Sequence, residues 1–160
     1  MQDANGPCVE LVVIHQKPPG LSQPVALGCS AWLPSSKRAA PLARALLRAF
    51  LRKFSISELF SPAGELVISE LIANAVVHGS AGLDEPIFLW FEGSSECLRI
   101  EVRDSSAEPP TVRPVEPEDE SGRGLWLINE LALTWGHGPR DDGPGKRVWV
   151  SIAPAHMGLL

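Results

Sequence analysis

The chain has 160 residues, 44% of them hydrophobic, which suits one domain with a substantial core and is too short for two of ordinary size. A formal net charge of -5 argues against a nucleic-acid surface, which needs clustered Lys and Arg to neutralise phosphates. Met1 to Pro7 has neither the basic start nor the apolar run of a secretory signal, and no apolar stretch reads as long enough to cross a bilayer. A cytoplasmic protein without membrane or direct nucleic-acid partners is the expectation. Cys8, Cys29 and Cys97 are odd in number, widely spaced and lack a CxxC pair, so they read as reduced structural thiols rather than a disulfide framework or zinc site.

In chain order, Val9 to Ile14 reads as a strand, and Lys17-Pro18-Pro19-Gly20 then interrupts regular structure. Val25 to Leu33 reads as a second strand. Pro34-Ser35-Ser36 follows it and offers a serine N-cap. Between Lys37 and Phe54, the apolar residues Leu42, Leu46, Leu47, Phe50, Leu51 and Phe54 recur at three- and four-residue intervals. Lys37, Arg38, Arg44, Arg48 and Arg52 fill the other face, predicting an amphipathic helix with a solvated basic side or a surface for an acidic partner.

A second helix is expected to start after Ser61-Pro62 and to run to His78, with Gly79 closing it. Pro86 to Glu92 and Leu98 to Asp104 read as antiparallel strands joined by Gly93-Ser94-Ser95. Ala107 to Ser121, rich in proline, acid and glycine, reads as a long loop. Helical spacing returns from Gly124 to Thr134 and stops at Trp135-Gly136. A final hairpin through Asp141 to Gly145 leads into a strand from Arg147 to Ala153.

Chemistry concentrates in the second helix. Its apolar run is interrupted by Glu70 and Asn74, one turn apart on an arc shared with Leu66, Val67, Leu71 and Val77. An unpaired carboxylate is costly to bury, so a carboxylate kept there is paired, protonated or used. A carboxamide oxygen suits a hard cation such as magnesium, and a neighbouring carboxylate can take a proton from a nucleophile. The bland alternative places Glu70 at a helix edge with Asn74 bonded to backbone, and His78 reads as a helix-terminal cap.

Ser121-Gly122-Arg123-Gly124-Leu125 lies where the long loop meets a helix N-terminus, a place that offers unpaired N–H groups to an anion. Gly122 and Gly124 permit close backbone approach, and Arg123 could add charge. Asp104, at a strand end before Ser105-Ser106, reads by itself as a turn-capping aspartate.

In this order the three segments resemble the boxes of the GHKL (Bergerat-fold) ATPases, and among them the small serine-protein kinases that act as anti-sigma factors, with their actinobacterial ATP-binding relatives. Glu70 to Gly79 resembles the N box, Val102 to Ser106 the G1 box, and Gly122 to Leu125 the G2 box, within a likeness spanning about Ala31 to Ile152. The resemblance implies an α+β two-layer sandwich, with helices on one face of a mixed, mainly antiparallel sheet and nucleotide held between the helices and a lid of Ala107 to Ser121. Residues 25–160 would form that domain, with residues 1–24 an added edge strand or a disordered tail.

By the same resemblance the cofactors are ATP and Mg2+. Asn74 would hold magnesium and Glu70 would be the general base. Asp104 and Ser106 would lie at the adenine, while Gly122, Arg123, Gly124 and Leu125 would lie at the phosphates. The implied partners are an anti-anti-sigma protein of the STAS type carrying the accepting serine or threonine, a sigma factor, and a second copy of the chain in a homodimer. Three positions depart from the common pattern: Ser106 replaces a glycine, Glu120 stands where the kinases carry arginine, and Lys146-Arg147-Val148 replaces a threonine beside adenine.

Overall fold

The computed structural model describes residues 8–14, 26–78, 85–110 and 123–155. Strands β1 (Cys8–Ile14) and β2 (Ala26–Leu33) precede helices α1 (Ala39–Lys53) and α2 (Ser57–His78). Strands β3 (Ile87–Gly93) and β4 (Leu98–Asp104), helix α3 (Arg123–Leu131), and strands β5 (Thr134–Pro139) and β6 (Lys146–Ile152) follow. The six strands form one sheet in the order β1-β2-β3-β4-β6-β5. Every described pairing is antiparallel, which corrects the mixed sheet expected above. The cause is the connectivity, because neighbours in the sheet are joined by hairpins or by excursions that return from the same end.

The sheet is a one-sided layer. Alternate residues of β3, β4 and β6 are buried, and they put Leu89, Phe91, Ile100, Val102, Val148 and Val150 against the helices. Period-two alternation with one apolar face is what a half-covered antiparallel sheet requires. On the other face Glu101 sits between Arg103 (2.8 Å) and Arg99 (3.4 Å), and Arg99 lies over the Trp149 ring. Gly136 permits this layer to close at β5, since a Cβ there would come within 2.6 Å of the Trp149 indole.

α1 packs on α2 and buries Ala39, Ala43, Leu47, Phe50 and Leu51, with Phe50 edge-on to Phe91 of β3. Its basic side is not simply solvated: Arg44 Nη1 donates to Ser69 Oγ (3.1 Å) and Arg48 pairs with Glu65, both on α2. The expected serine N-cap is not formed; Arg38 holds that position without a side-chain bond, and Ser36 Oγ instead accepts from the Arg38 N–H at 3.3 Å. Pro41 fits in the first turn, where its missing N–H has no intrahelical acceptor to lose.

α2 begins at Ser57, not after Ser61-Pro62, and carries Pro62 inside it. The reason is burial: Phe60 is fully enclosed and Ile56 nearly so, and an extra helical turn is what holds Phe60 in the core. Enclosing a side chain of that size contributes about 1.5–3 kcal/mol, which offsets much of the cost of a proline near a helix start. The longer helix also revises the membrane expectation, since Ser57–Val77 is long and apolar enough to cross a bilayer by length and composition. In the sandwich its Phe60, Val67, Ile68, Leu71, Ile72 and Ala75 are core residues against the sheet. α3 ends at Leu131, three residues early, and Thr134, Trp135 and Gly136, read as helix end and stop, begin β5.

Candidate functional site

Two contacts give the direction of α2 over the sheet. The Leu59 carbonyl accepts a bond from the Ala155 N–H (2.8 Å), just beyond the end of β6. Five residues on, Gly64 lies on the side chain of Leu98, the first residue of β4, so closely that a Cβ would come within 3.0 Å. From Gly64 the helix therefore runs along β4 toward Asp104. Ten helical residues to Asn74 advance about 15 Å, and the six strand residues from Leu98 to Asp104 advance about 20 Å. The last turns of α2 and the Asp104 end of β4 thus share one end of the sandwich.

Along those turns Val67, Ile68, Leu71, Ile72 and Ala75 face the core, while Leu66, Ala73 and Val77 are exposed. Glu70 and Asn74 lie between, half-buried, about one turn apart. Among the described residues neither side chain has a hydrogen-bond or ion-pair partner. Burial pushes the Glu70 carboxyl above its ordinary value of 4.5. A carboxyl moved toward neutrality and left unpaired is suited to exchange a proton with a bound group. Glu70 thus sits at a helix edge, as the bland alternative has it, and Asn74 makes no side-chain bond to backbone among the described residues.

Asp104 is 4% exposed, on the helix-facing side of β4. Its Oδ1 accepts from the Ser106 N–H (2.9 Å), the local turn expected of an aspartate there, and Ser106 Oγ accepts from the Glu108 N–H (3.2 Å). Ser106 is itself buried. The sequence could not assign Lys146, which stands directly opposite Asp104 in the β4–β6 register. Its Nζ donates to Oδ1 at 3.1 Å and lies 3.0 Å from Oδ2. Arg140 Nη1 reaches the Asp104 carbonyl (3.4 Å) while its guanidinium grips Asp142 at 3.0 Å through both Nε and Nη2. The β5–β6 turn closes on this spot at Gly145, whose φ of +123° suits glycine and whose Cβ, were there one, would strike the Asp104 carbonyl oxygen.

The third expected segment is described in part. Arg123 and Gly124 open α3, while Ser121, Gly122 and the lid from residue 111 to 120 lie outside the described residues. Leu125 is 7% exposed and belongs to the core with Ile128. Its backbone N–H, among the first four of α3 and so without an intrahelical acceptor, is what it could offer an anion. α3 packs on α2, the helix that carries Glu70 and Asn74. Gly79, expected to close α2, is likewise outside the described residues.

These groups fit magnesium and a nucleotide in their chemistry. Asn74 supplies a hard oxygen donor with no competing partner among the described residues, and magnesium takes few protein ligands because phosphates and water complete its shell. Residues 33–152, three quarters of the chain, match the family model described as a histidine kinase-like ATPase domain. Comparison with curated proteins returns no match.

Proposed function

Since the chain belongs to the family of histidine kinase-like ATPase domains, we propose that it is an ATP-binding anti-sigma factor and serine/threonine kinase that phosphorylates an anti-anti-sigma partner. ATP binding in a GHKL-type domain follows from that membership. The observation that supports phosphotransfer is the desolvated Glu70, without a side-chain partner among the described residues and one turn from Asn74, on the helix that runs toward the Asp104 end of β4.

In that reading Asn74 would hold Mg2+, which supplies charge neutralisation on the phosphates when bound. Asp104 accepts from the base and orients the nucleotide. Glu70 takes the proton of a serine or threonine hydroxyl as its oxygen bonds to the γ-phosphorus, the bond to the β-bridging oxygen breaks, and ADP leaves. The raised Glu70 pKa narrows the gap to the hydroxyl and keeps the carboxylate a better base than an exposed one.

To test it, the protein is incubated with ATP, Mg2+ and a candidate anti-anti-sigma protein of the STAS type, and phosphate on the partner is followed by mass spectrometry. Wild type is expected to modify one serine or threonine, and Glu70→Gln to bind nucleotide without transfer. Nucleotide binding with no phosphate reaching any such partner would overturn the kinase reading.

One sequence feature favours a second reading. Glu120 precedes the Gly122–Gly124 segment where such kinases carry arginine, and an acid there repels a γ-phosphate. ATP occupancy would then set affinity for a regulator without phosphotransfer. Regulation that survives Glu70→Ala but is abolished by Asn74→Ala would decide for the switch.

A further inference from the structure

The face of the sheet turned away from the helices is ordered by cross-strand register. Trp32, Phe88, Arg103 and Arg147 are successive register partners on β2, β3, β4 and β6, and so form one row across the strands. At about 4.8 Å per strand the row is about 14 Å long, with rings at one end and guanidinium groups at the other. Trp32 is 40% exposed and meets Phe88 edge-on at 5.0 Å. Arg103 lies 5.0 Å over the Phe88 ring.

Two arginines directly opposite each other repel, a pairing that destabilises a sheet unless it is compensated. Here the compensation is one carboxylate in the next row, Glu101, whose side chain is 6% exposed. Three arginines share it: Arg103 at 2.8 Å, Arg99 at 3.4 Å and Arg147 at 4.0 Å. A carboxylate has about four acceptor sites, against five donors on each guanidinium, so most donors find no acceptor within the cluster. Arg147 is the least satisfied: it lies at the limit of an ion pair, and its Nε is buried without an acceptor among the described residues. Its side chain as a whole is 35% exposed. Stacking of Arg103 on Phe88 and of Arg99 on Trp149 holds the cations in place before anything binds, which lowers the ordering cost of recognition.

We propose that this row is a docking site for a protein partner, gripped through a segment that sets a large apolar side chain on Trp32 and Phe88 and a carboxylate on Arg103 and Arg147, about 10 Å away. Charge complementarity selects that occupant. Three arginines against Glu101 and Glu92, which opposes Arg99 in register, leave one positive charge over among the described residues of the patch. One surplus charge suits a carboxylate. A nucleic acid would instead bring a phosphate with every nucleotide toward a chain of net charge -5. The site does not rest on the nucleotide reading, because α1 and α2 pack on the opposite side of the sheet.

Fluorescence anisotropy of a labelled synthetic peptide of repeating Leu-Ser-Glu-Glu, titrated with the full chain at low salt, reads the proposal. Wild type is expected to bind it about tenfold or more tightly than the same peptide with Gln for Glu. Arg147→Gln, which leaves the close Glu101–Arg103 pair intact, and Trp32→Ala are each expected to weaken binding by about tenfold or more. Arg52→Gln removes the same charge from α1 and should change binding by less than about twofold. No binding of the acidic peptide, equal binding of the two peptides, or an equal loss in Arg52→Gln and Arg147→Gln overturns the inference. Tighter binding of single-stranded DNA at the same arginine would give the face to nucleic acid, and self-association lost in Arg147→Gln would give it to a second copy; either result overturns it as well.

Discussion

Asp104 and Lys146 face each other across β4 and β6 with Nζ 3.0–3.1 Å from both carboxylate oxygens, a buried ion pair at the end of the sheet to which α2 carries Glu70 and Asn74. Breaking such a pair from one side leaves a charge buried without compensation. Asp104→Ala is therefore expected to destabilise the domain by about 3 kcal/mol and to abolish ATP binding. Urea denaturation and calorimetry check the two effects separately, and a variant as stable as wild type would show that the pair is solvated.

Glu70 is desolvated by burial, so folding favours its neutral form. A carboxyl with a folded-state pKa above its unfolded value contributes stability that is present below the unfolded pKa and lost as pH rises through the folded one. At neutral pH the charged form is thus a burden. Glu70→Gln is expected to raise Tm near pH 7, with the gain fading as pH falls through the raised folded-state value and gone below the ordinary value of 4.5, and to cut phosphotransfer by roughly 100-fold or more. Thermal melts across pH, with transfer assays at pH 7, test both halves.

Asn74→Ala removes an oxygen donor without disturbing the core, because the side chain is half-buried and has no partner among the described residues. Stability should change by less than about 0.5 kcal/mol. ATP affinity measured with Mg2+ should fall about tenfold or more, while the weaker affinity measured with chelator should hardly move. An equal loss in both conditions would remove Asn74 from the metal.

Gly145→Ala is predicted to cost about 1–3 kcal/mol, since its φ of +123° is strained for alanine and its Cβ would strike the Asp104 carbonyl. The Asp104–Lys146 contact would loosen with it. Denaturation midpoints compared with Gly143→Ala, a glycine of φ +152° with open space around it, separate collision from backbone preference.

Phe60→Ala tests where α2 begins. A fully buried phenylalanine in the first turn is expected to contribute about 3–5 kcal/mol, whereas a residue in a loop before Ser61 would contribute little. Equilibrium denaturation distinguishes the two.

Much of the site was legible before any tertiary contact. Glu70 and Asn74 stand out because two polar groups one turn apart break an apolar helix, and helical spacing is a local property of the chain. The β3 and β4 strands and their hairpin were legible for the same reason, through alternation and the Gly93-Ser94-Ser95 turn. α2 was misjudged at its start because Ser61-Pro62 imitates a cap and first turn, while the signal for the true start, enclosure of Phe60 by the rest of the core, has no local signature.

β5 and Lys146 belong to the same class. Thr134 to Pro139 contains two glycines and a proline and shows little apolar alternation, so only pairing with β6 makes it a strand. Lys146 is an ordinary surface lysine by sequence. The antiparallel register, set by which faces of β4 and β6 are buried, puts it opposite an aspartate 42 positions away in the chain. The residues alone determined which groups could do chemistry and on which elements they ride, because periodicity and turn preference act over a few bonds. Only the packed sheet decided which charge meets which, because pairing across strands depends on the burial of whole faces rather than on neighbours in sequence.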